Sequence, residues 1–264
     1  MSALLTTAGE LIAAEVLKLR TTRSLWILIT VGLAIACAFV VLVTALGSPE
    51  NLAEKDTLIA LALAGSPVGL VMLVLGVLGM AGEFRHGTIT YTFLATPKRG
   101  RVVLLKLCVY LLAGAAAAGL ALVMMQLVIV VVLAIRGIDL LWPHGDIWWF
   151  YLRIMLTTGL FAAFGVAVAA LLRSQVLAVA LIMSWMVLEA TIVPPILELV
   201  GWGHVQAWLP FQVFTQATGL VDRLSNGEAT QLLLTPNRAM LIGVGYIAVV
   251  ALAAVLTTMR RDVT

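Results

Sequence analysis

Charge is scarce in this sequence, and the largest gathering of it lies in one short stretch. Residues 82–106 read GEFRHGTITYTFLATPKRGRVVLLK. Glu83, Arg85 and His86 stand where one apolar run ends. Lys98, Arg99 and Arg101 gather where the next begins, and Lys106 falls one or two turns inside it. Between them, Thr88 can cap a short helix, because its hydroxyl can accept an amide hydrogen bond from the next turn. That helix is expected over roughly 89–94, with Pro97 marking its end. Ile89, Tyr91, Phe93 and Leu94 put apolar side chains on a segment that should protrude into water. The chemistry on offer is recognition: an aromatic tip with a basic collar, for a partner protein to grip. Burying one such ring in a groove contributes ~1.5–3 kcal/mol. A plain basic loop, with its rings lying among lipid headgroups, accounts for the same residues.

The spacings that make catalysts are missing. A phosphate-cradling loop needs GxxxxGK[ST], and none of Lys18, Lys55, Lys98 and Lys106 follows a glycine. HExxH and GxSxG are absent, His86, His144 and His204 are scattered, and the apolar runs contain no aspartate. An enzyme is not expected, nor a metal or cofactor site in this chain. Cys37 and Cys108 lie in apolar runs without CxxC spacing and read as small core residues.

Two polar residues inside apolar runs are further candidates. Glu189 comes about 14 residues after the start of its run, ~21 Å at 1.5 Å per residue. Carboxylates at such depth are functional candidates by default. Glu189 and Gln126 therefore stand as the possible lining of a translocation path. The local alternatives are a neutral Glu189 bonded to broken backbone near Pro194 or to Arg153, and an interhelical hydrogen bond for Gln126. Gly65, Gly69, Gly76, Gly79, Gly82, Ala115 and Gly119 read as points of close helix packing.

What positions these residues follows from composition. The chain has 264 residues, 62% hydrophobic and 11% charged, against about 25% charged in soluble domains. Lipid must be its solvent, and residues 1–264 read as one transmembrane domain. Spans of ~20 apolar residues are expected at Leu25–Leu46, Leu58–Ala81, Val102–Ile135, Phe150–Leu172, Val176 to about Val193, and Ala239–Met259. The fifth is broken by Pro194 and Pro195. Residues 1–24 form an interfacial helix. Leu4, Leu5, Ala8, Leu11, Ile12, Val16 and Leu19 recur at helical spacing, and Glu15 interrupts their arc. The run that follows is longer than a cleavable signal's apolar region and is expected to be retained. Residues 194–236 read as an external region of short re-entrant helices followed by a solvated turn.

The basic residues set orientation. With both termini in the cytoplasm, eleven of the 16 Lys and Arg fall inside, leaving Lys55, Arg136, Arg153, Arg223 and Arg238 outside. Glu50, Glu54, Asp56, Asp139, Asp146, Asp222 and Glu228 are then external. Trp142, Trp148, Trp149, Trp202 and Trp208 mark the outer headgroup level, Trp26 the inner one, and Trp185 is expected to pack mid-span. The net charge of +3 is dispersed between spans, which argues against nucleic acid as a partner.

Glu83-x-Arg85-x-Gly87-Thr88, then Thr96-Pro97-x-Arg99, then Arg101 and Lys106 resemble the cytoplasmic coupling-helix segment of ATP-binding-cassette (ABC) export permeases of the type-2 class. The layout is similar as well: an interfacial helix, six spans, a knob between spans two and three, and re-entrant helices before the last span. The resemblance implies an all-α permease of the cytoplasmic membrane, paired with itself or a similar chain. It implies a separate ATPase subunit that binds ATP and Mg. The coupling contact would comprise Glu83, Arg85, Gly87, Thr88, Tyr91, Phe93, Pro97, Arg99 and Arg101. One departure is that many relatives carry an acidic residue in the knob helix, which here reads ITYTFL. The loop signature of importer permeases is absent. A scaffold that docks a cytosolic partner without transport, and a stand-alone secondary transporter, are the competing readings. The latter would require ion-coupling carboxylates in broken helices, where only Glu189 answers.

Overall fold

Helix is the regular structure throughout the computed structural model, which describes residues 2–47, 67–95, 99–138, 145–220 and 234–258. The order is α1 Ser2–Thr21, α2 Arg23–Leu46, α3 Val68–Arg85, α4 Ile89–Ala95, α5 Arg99–Ile135 and α6 Gly145–Leu172. Then come α7 Gln175–Thr191, α8 Val193–Leu199, a 3-10 turn at Gly203–Trp208, α9 Pro210–Ala217 and α10 Pro236–Ala253, which ends in a π turn, Ala254–Thr258. Among the described residues, five helices are long and apolar enough to cross a membrane, and there are six such spans if α7 and α8 count as one bent by 44°. A helix satisfies its own backbone groups, which hydrocarbon requires. The chain is a multi-pass helical membrane protein.

Helix α6 is the centre. Of its apolar window 72% is buried, against 22% for α2. It packs along both α3 and α5, and the close approach is made by glycine. A Cβ on Gly76 would collide with the Ala162 carbonyl, and one on Gly165 with the Leu73 carbonyl. Gly114 meets Gly159 in the same way where α5 crosses α6. Gly69 and Gly119 are covered by Phe161 and Met155, as expected of packing positions, whereas Gly82 faces open space. Gly65 lies outside the described residues.

The helix ends differ from expectation in ways that bear on function. The second span continues past Ala81 to Arg85, so Glu83 and Arg85 ride on its last turn instead of in a loop. Gly87, at φ +67°, stops it: the left-handed conformation after a helix end suits glycine, which has no Cβ to clash. The third span begins at Arg99, which places Arg99 and Arg101 on its first turn. Leu58 to Ser66, Pro97 and Lys98, Trp142, the polar segment 221–233 that was expected to be a solvated turn, and Arg260 with Arg261 lie outside the described residues. The fifth span breaks at Ile192, and Pro194 falls in the first turn of α8. Proline lacks an amide, so it starts a helix more readily than it sits within one. Two small corrections concern side chains. Trp185 is not packed inside but faces outward, and Cys108 is exposed and not a core residue. Both stand on bundle faces where lipid can solvate an apolar surface.

Candidate functional site

Four charges meet where α1, α3 and α5 converge. Lys106, 1% exposed, is among the most deeply buried large side chains. Its amine donates to Glu15 Oε2 at 2.7 Å, Glu83 Oε1 at 3.1 Å and the Gly79 carbonyl at 3.3 Å. A lysine ammonium has three donors, and all three are used. Lys18 donates to Glu15 Oε1 at 2.8 Å and Glu83 Oε1 at 2.5 Å. The two carboxylates and two amines thus cancel in charge. Local geometry explains the convergence. Glu15 and Lys18 lie three residues apart and Gly79 and Glu83 four apart, so each pair shares a helix face. Gly79 also admits the Tyr110 hydroxyl, which a Cβ there would overlap, and the Tyr110 ring lies 5.9 Å from the Lys106 amine.

Burial disfavours the charged form of Glu15. The charge and hydrogen bond of Lys106, and then Lys18, outweigh it and hold the carboxyl below its ordinary value. Burial also pulls Lys18 down, but its hydrogen bonds to Glu15 and Glu83 raise it above the usual amine value. Both groups are therefore ionised at neutral pH. Glu83 keeps one buried oxygen, Oε2, that has no hydrogen-bond partner.

Around this knot the expected coupling residues take distinct places. Arg85 reaches Gln175 Oε1 at 3.4 Å, which ties the end of α3 to the start of α7. Thr88 precedes α4 as expected, but its hydroxyl donates back to the Glu83 carbonyl at 3.5 Å instead of accepting from the next turn. On α4, Ile89 is fully buried, while Tyr91 and Leu94 are 76% and 77% exposed. Phe93 is half-buried against the core, with the Arg99 guanidinium 5.2 Å above its ring. The protruding tip is therefore Tyr91 with Leu94, and Phe93 anchors it. Arg101 is half-buried on the first turn of α5.

The two in-span candidates are each engaged locally, by different partners. Gln126 accepts the Tyr151 hydroxyl hydrogen bond at 2.9 Å, which joins α5 to α6. Glu189, 1% exposed, accepts the Gln212 amide at 2.7 Å. It thereby caps α9, where free amides and the helix dipole favour a carboxylate. Gln216, which the sequence reading did not single out, completes this corner. It donates to the Ala207 and Gln212 carbonyls and accepts the Leu234 amide at 2.7 Å. Phe214 lies 4.8 Å from Phe161 and 5.5 Å from Phe164, pinning α9 to α6. At the end of α5, Arg136 donates to the Thr44 and Gly47 carbonyls and closes the end of α2.

A cavity of about 600 Å³ opens beside the charge knot, between the starts of α2 and α7 and over the last turns of α3. Its rim carries Lys18, Glu83, Arg85 and His86, and its floor Leu25, Leu75 and Leu78.

Sequence reasoning missed Glu15 and Lys18 as members of this site. The signals were present: Glu15 broke the apolar arc of its own helix, and Lys106 stood inside an apolar run. A charge at such a position needs a partner of opposite sign. No protein-family model matches this chain, and no curated protein matches it.

Proposed function

We propose that this chain is the membrane-spanning permease subunit of an ABC exporter of the type-2 class. It forms the translocation path and couples to a separate ATP-binding subunit that drives export of an amphiphilic substrate. The observation that carries the reading is α4. This seven-residue helix between two spans exposes Tyr91 and Leu94 while its root is tied into buried structure by Ile89. A push on that tip passes to α3 across the short turn at His86–Thr88. From α3 it reaches α1 and α5 through Glu83 and its two lysine partners.

In this reading α4 is the coupling helix and α1 lies in the cytoplasmic interface. Both termini are cytoplasmic, and α8, the 3-10 turn and α9 form the external re-entrant region. ATP and Mg belong to the partner, and two permease copies, or this chain and a similar one, make the working unit in the cytoplasmic membrane.

The test is co-purification of the full chain with a Walker-containing ATPase from its own cell, followed by ATP hydrolysis in vesicles. Tyr91→Ala with Leu94→Ala should reduce ATPase capture at least about tenfold while changing stability by no more than about 0.5 kcal/mol, as for exposed positions generally. Capture unaffected by the double substitution refutes the role of α4. A partner that binds but whose ATP use drives no solute movement favours a docking scaffold. Solute movement by the chain alone refutes the permease reading outright.

A further inference from the structure

The cavity beside the charge knot has a charge balance that selects a ligand. Its volume, about 600 Å³, lies within the ~300–1,000 Å³ typical of ligand pockets. It opens where three long helices have their ends: α3 finishes at Arg85, α2 begins at Arg23 and α7 begins at Gln175. That is the level at which lipid headgroups give way to hydrocarbon. Within the knot Lys18 and Lys106 are matched by Glu15 and Glu83, which leaves Arg85 as surplus positive charge on the cavity rim. The described partner of its guanidinium is neutral, Gln175 Oε1 at 3.4 Å, longer than an ordinary N–H···O bond. A guanidinium has five N–H donors, so most of its capacity is unspent. Lys18, in its described bonds, spends two of three donors on Glu15 and Glu83. Among the described residues of the wall, Glu83 is the only acid. Its Oε1 is shared by Lys18 and Lys106, and its Oε2 is enclosed away from solvent. The cavity thus offers donors and net positive charge but no free carboxylate oxygen. Below the rim Leu78 and Leu75 descend α3 for roughly 15 Å from Arg85, at 1.5 Å per residue, and Leu25 of α2 shares that wall.

We propose that this cavity binds an anionic phospholipid with one net negative charge, of the phosphatidylglycerol kind. Its phosphate lies against Arg85 and the remaining N–H of Lys18, and one chain runs along Leu25, Leu75 and Leu78. Arginine suits this role because its planar fork can bond two phosphate oxygens at once. A free phosphate would leave the leucine wall uncovered, and a cationic amphiphile would meet a rim of its own sign. A zwitterionic lipid brings the same phosphate but adds an ammonium that Arg85 repels and no free carboxylate receives. One unmatched guanidinium therefore selects one unmatched phosphate on a chain. The site does not depend on the transporter reading, since the lipid binds whether or not an ATPase docks.

The test uses the purified full chain in a neutral detergent. The probes are glycerol, choline and ethanolamine phospholipids with identical acyl chains, and the chainless headgroup glycerophosphoglycerol. Thermal midpoint and retained lipid by native mass spectrometry are read together. The glycerol lipid should bind about tenfold tighter or better than either zwitterionic lipid, the difference one charge-assisted hydrogen bond makes. Arg85→Gln, at an exposed position, should abolish that preference. Arg20→Gln, an exposed charge on α1 that does not line the cavity, should leave it intact. Leu78→Trp, which fills the apolar wall and keeps every charge, should weaken binding of the glycerol lipid about tenfold. Equal binding of the three lipids overturns the selection by charge. A preference that survives Arg85→Gln, or falls as far in Arg20→Gln, belongs to the basic surface at large and overturns the location. Binding of the chainless headgroup as tight as that of the lipid, or full binding by Leu78→Trp, overturns the assignment to an amphiphile.

Discussion

Replacing Lys106 by methionine isolates the energy of the four-charge knot. Lys106→Met keeps a long unbranched side chain but removes the amine that holds both Glu15 and Glu83. Removing one partner of a buried pair costs ~3–5 kcal/mol, because the other charge stays buried and unmatched. Here Lys18 still touches both carboxylates, although 47% of its side chain is exposed. That residual compensation places the expected loss at the low end, about 3 kcal/mol, roughly a hundredfold in the folding equilibrium. Lys18→Met removes a half-solvated amine and should cost about 1 kcal/mol or less. The assay is reversible unfolding of the purified chain in mixed micelles, as denaturing detergent is raised, for the two single variants and their parent. A triple variant, Glu15→Leu with Glu83→Leu and Lys106→Met, removes the buried charges along with the pairing. It should recover much of the loss, as apolar replacements of buried ion pairs often do. If Lys106→Met falls within the error of Lys18→Met, the knot does not hold α1 to the bundle and the reasoning fails.

Two further predictions concern packing and pH. Gly165→Ala puts a Cβ into the Leu73 carbonyl and should destabilise by about 1–3 kcal/mol, as overpacking does. Gly82→Ala meets nothing within 4 Å and should be neutral or slightly stabilising, since alanine is the better helix former; the same unfolding assay reads both. For pH, Glu15 is held below its ordinary value of 4.5, so its contribution is present above that pH and is lost as pH falls through the lower folded value. Lys18 is raised above 10.5, so its contribution is complete below that pH and is lost as pH rises through the higher folded value. The thermal midpoint should therefore hold a plateau between these limits. Below pH 4.5 it should fall less steeply in Glu15→Gln than in the parent, and equal slopes would remove Glu15 from the network.

The transmembrane pattern was legible because it rests on one strong quantity, the length of uninterrupted apolar sequence. Five of the six expected spans match helices to within a few residues at the ends the structure describes, and the fifth in order appears as the bent pair α7–α8. Their ends were less legible. No strong breaker stands between Ala81 and Gly87, so α3 runs on, and prolines that read as a break serve as the start of α8. Side-chain partners were least legible. Glu189 offered several local partners on paper, yet it accepts the amide of Gln212, on a helix 23 residues away in sequence. Glu15 and Lys106 are 91 residues apart, and no local pattern links them. The only trace of their pairing was that each was a charge in the wrong place.

That pairing bears on how a push at α4 would travel. Helices α3, α5 and α6 meet backbone to backbone at Gly76, Gly165, Gly114 and Gly159, contacts too close to slide without collision. Close-packed interiors transmit displacement instead of absorbing it. Helix α1 is joined to this block chiefly by charge, and a charge knot can be parted and remade without repacking a core. The outer helices α2 and α10, with 22% and 28% of their windows buried, have mostly lipid-facing surfaces and little to hold them rigid. A force entering at Tyr91 would thus move α3, α5 and α6 as one body against α2 and α7. The cavity rimmed by Glu83 lies on that seam, between the starts of α2 and α7. Locking α2 to α3 by a disulfide between Gly32→Cys and Val71→Cys, positions whose side chains would touch, should slow any ATP-driven transport while leaving ATPase capture intact. Transport at full rate in the oxidised protein would show that this seam does not open.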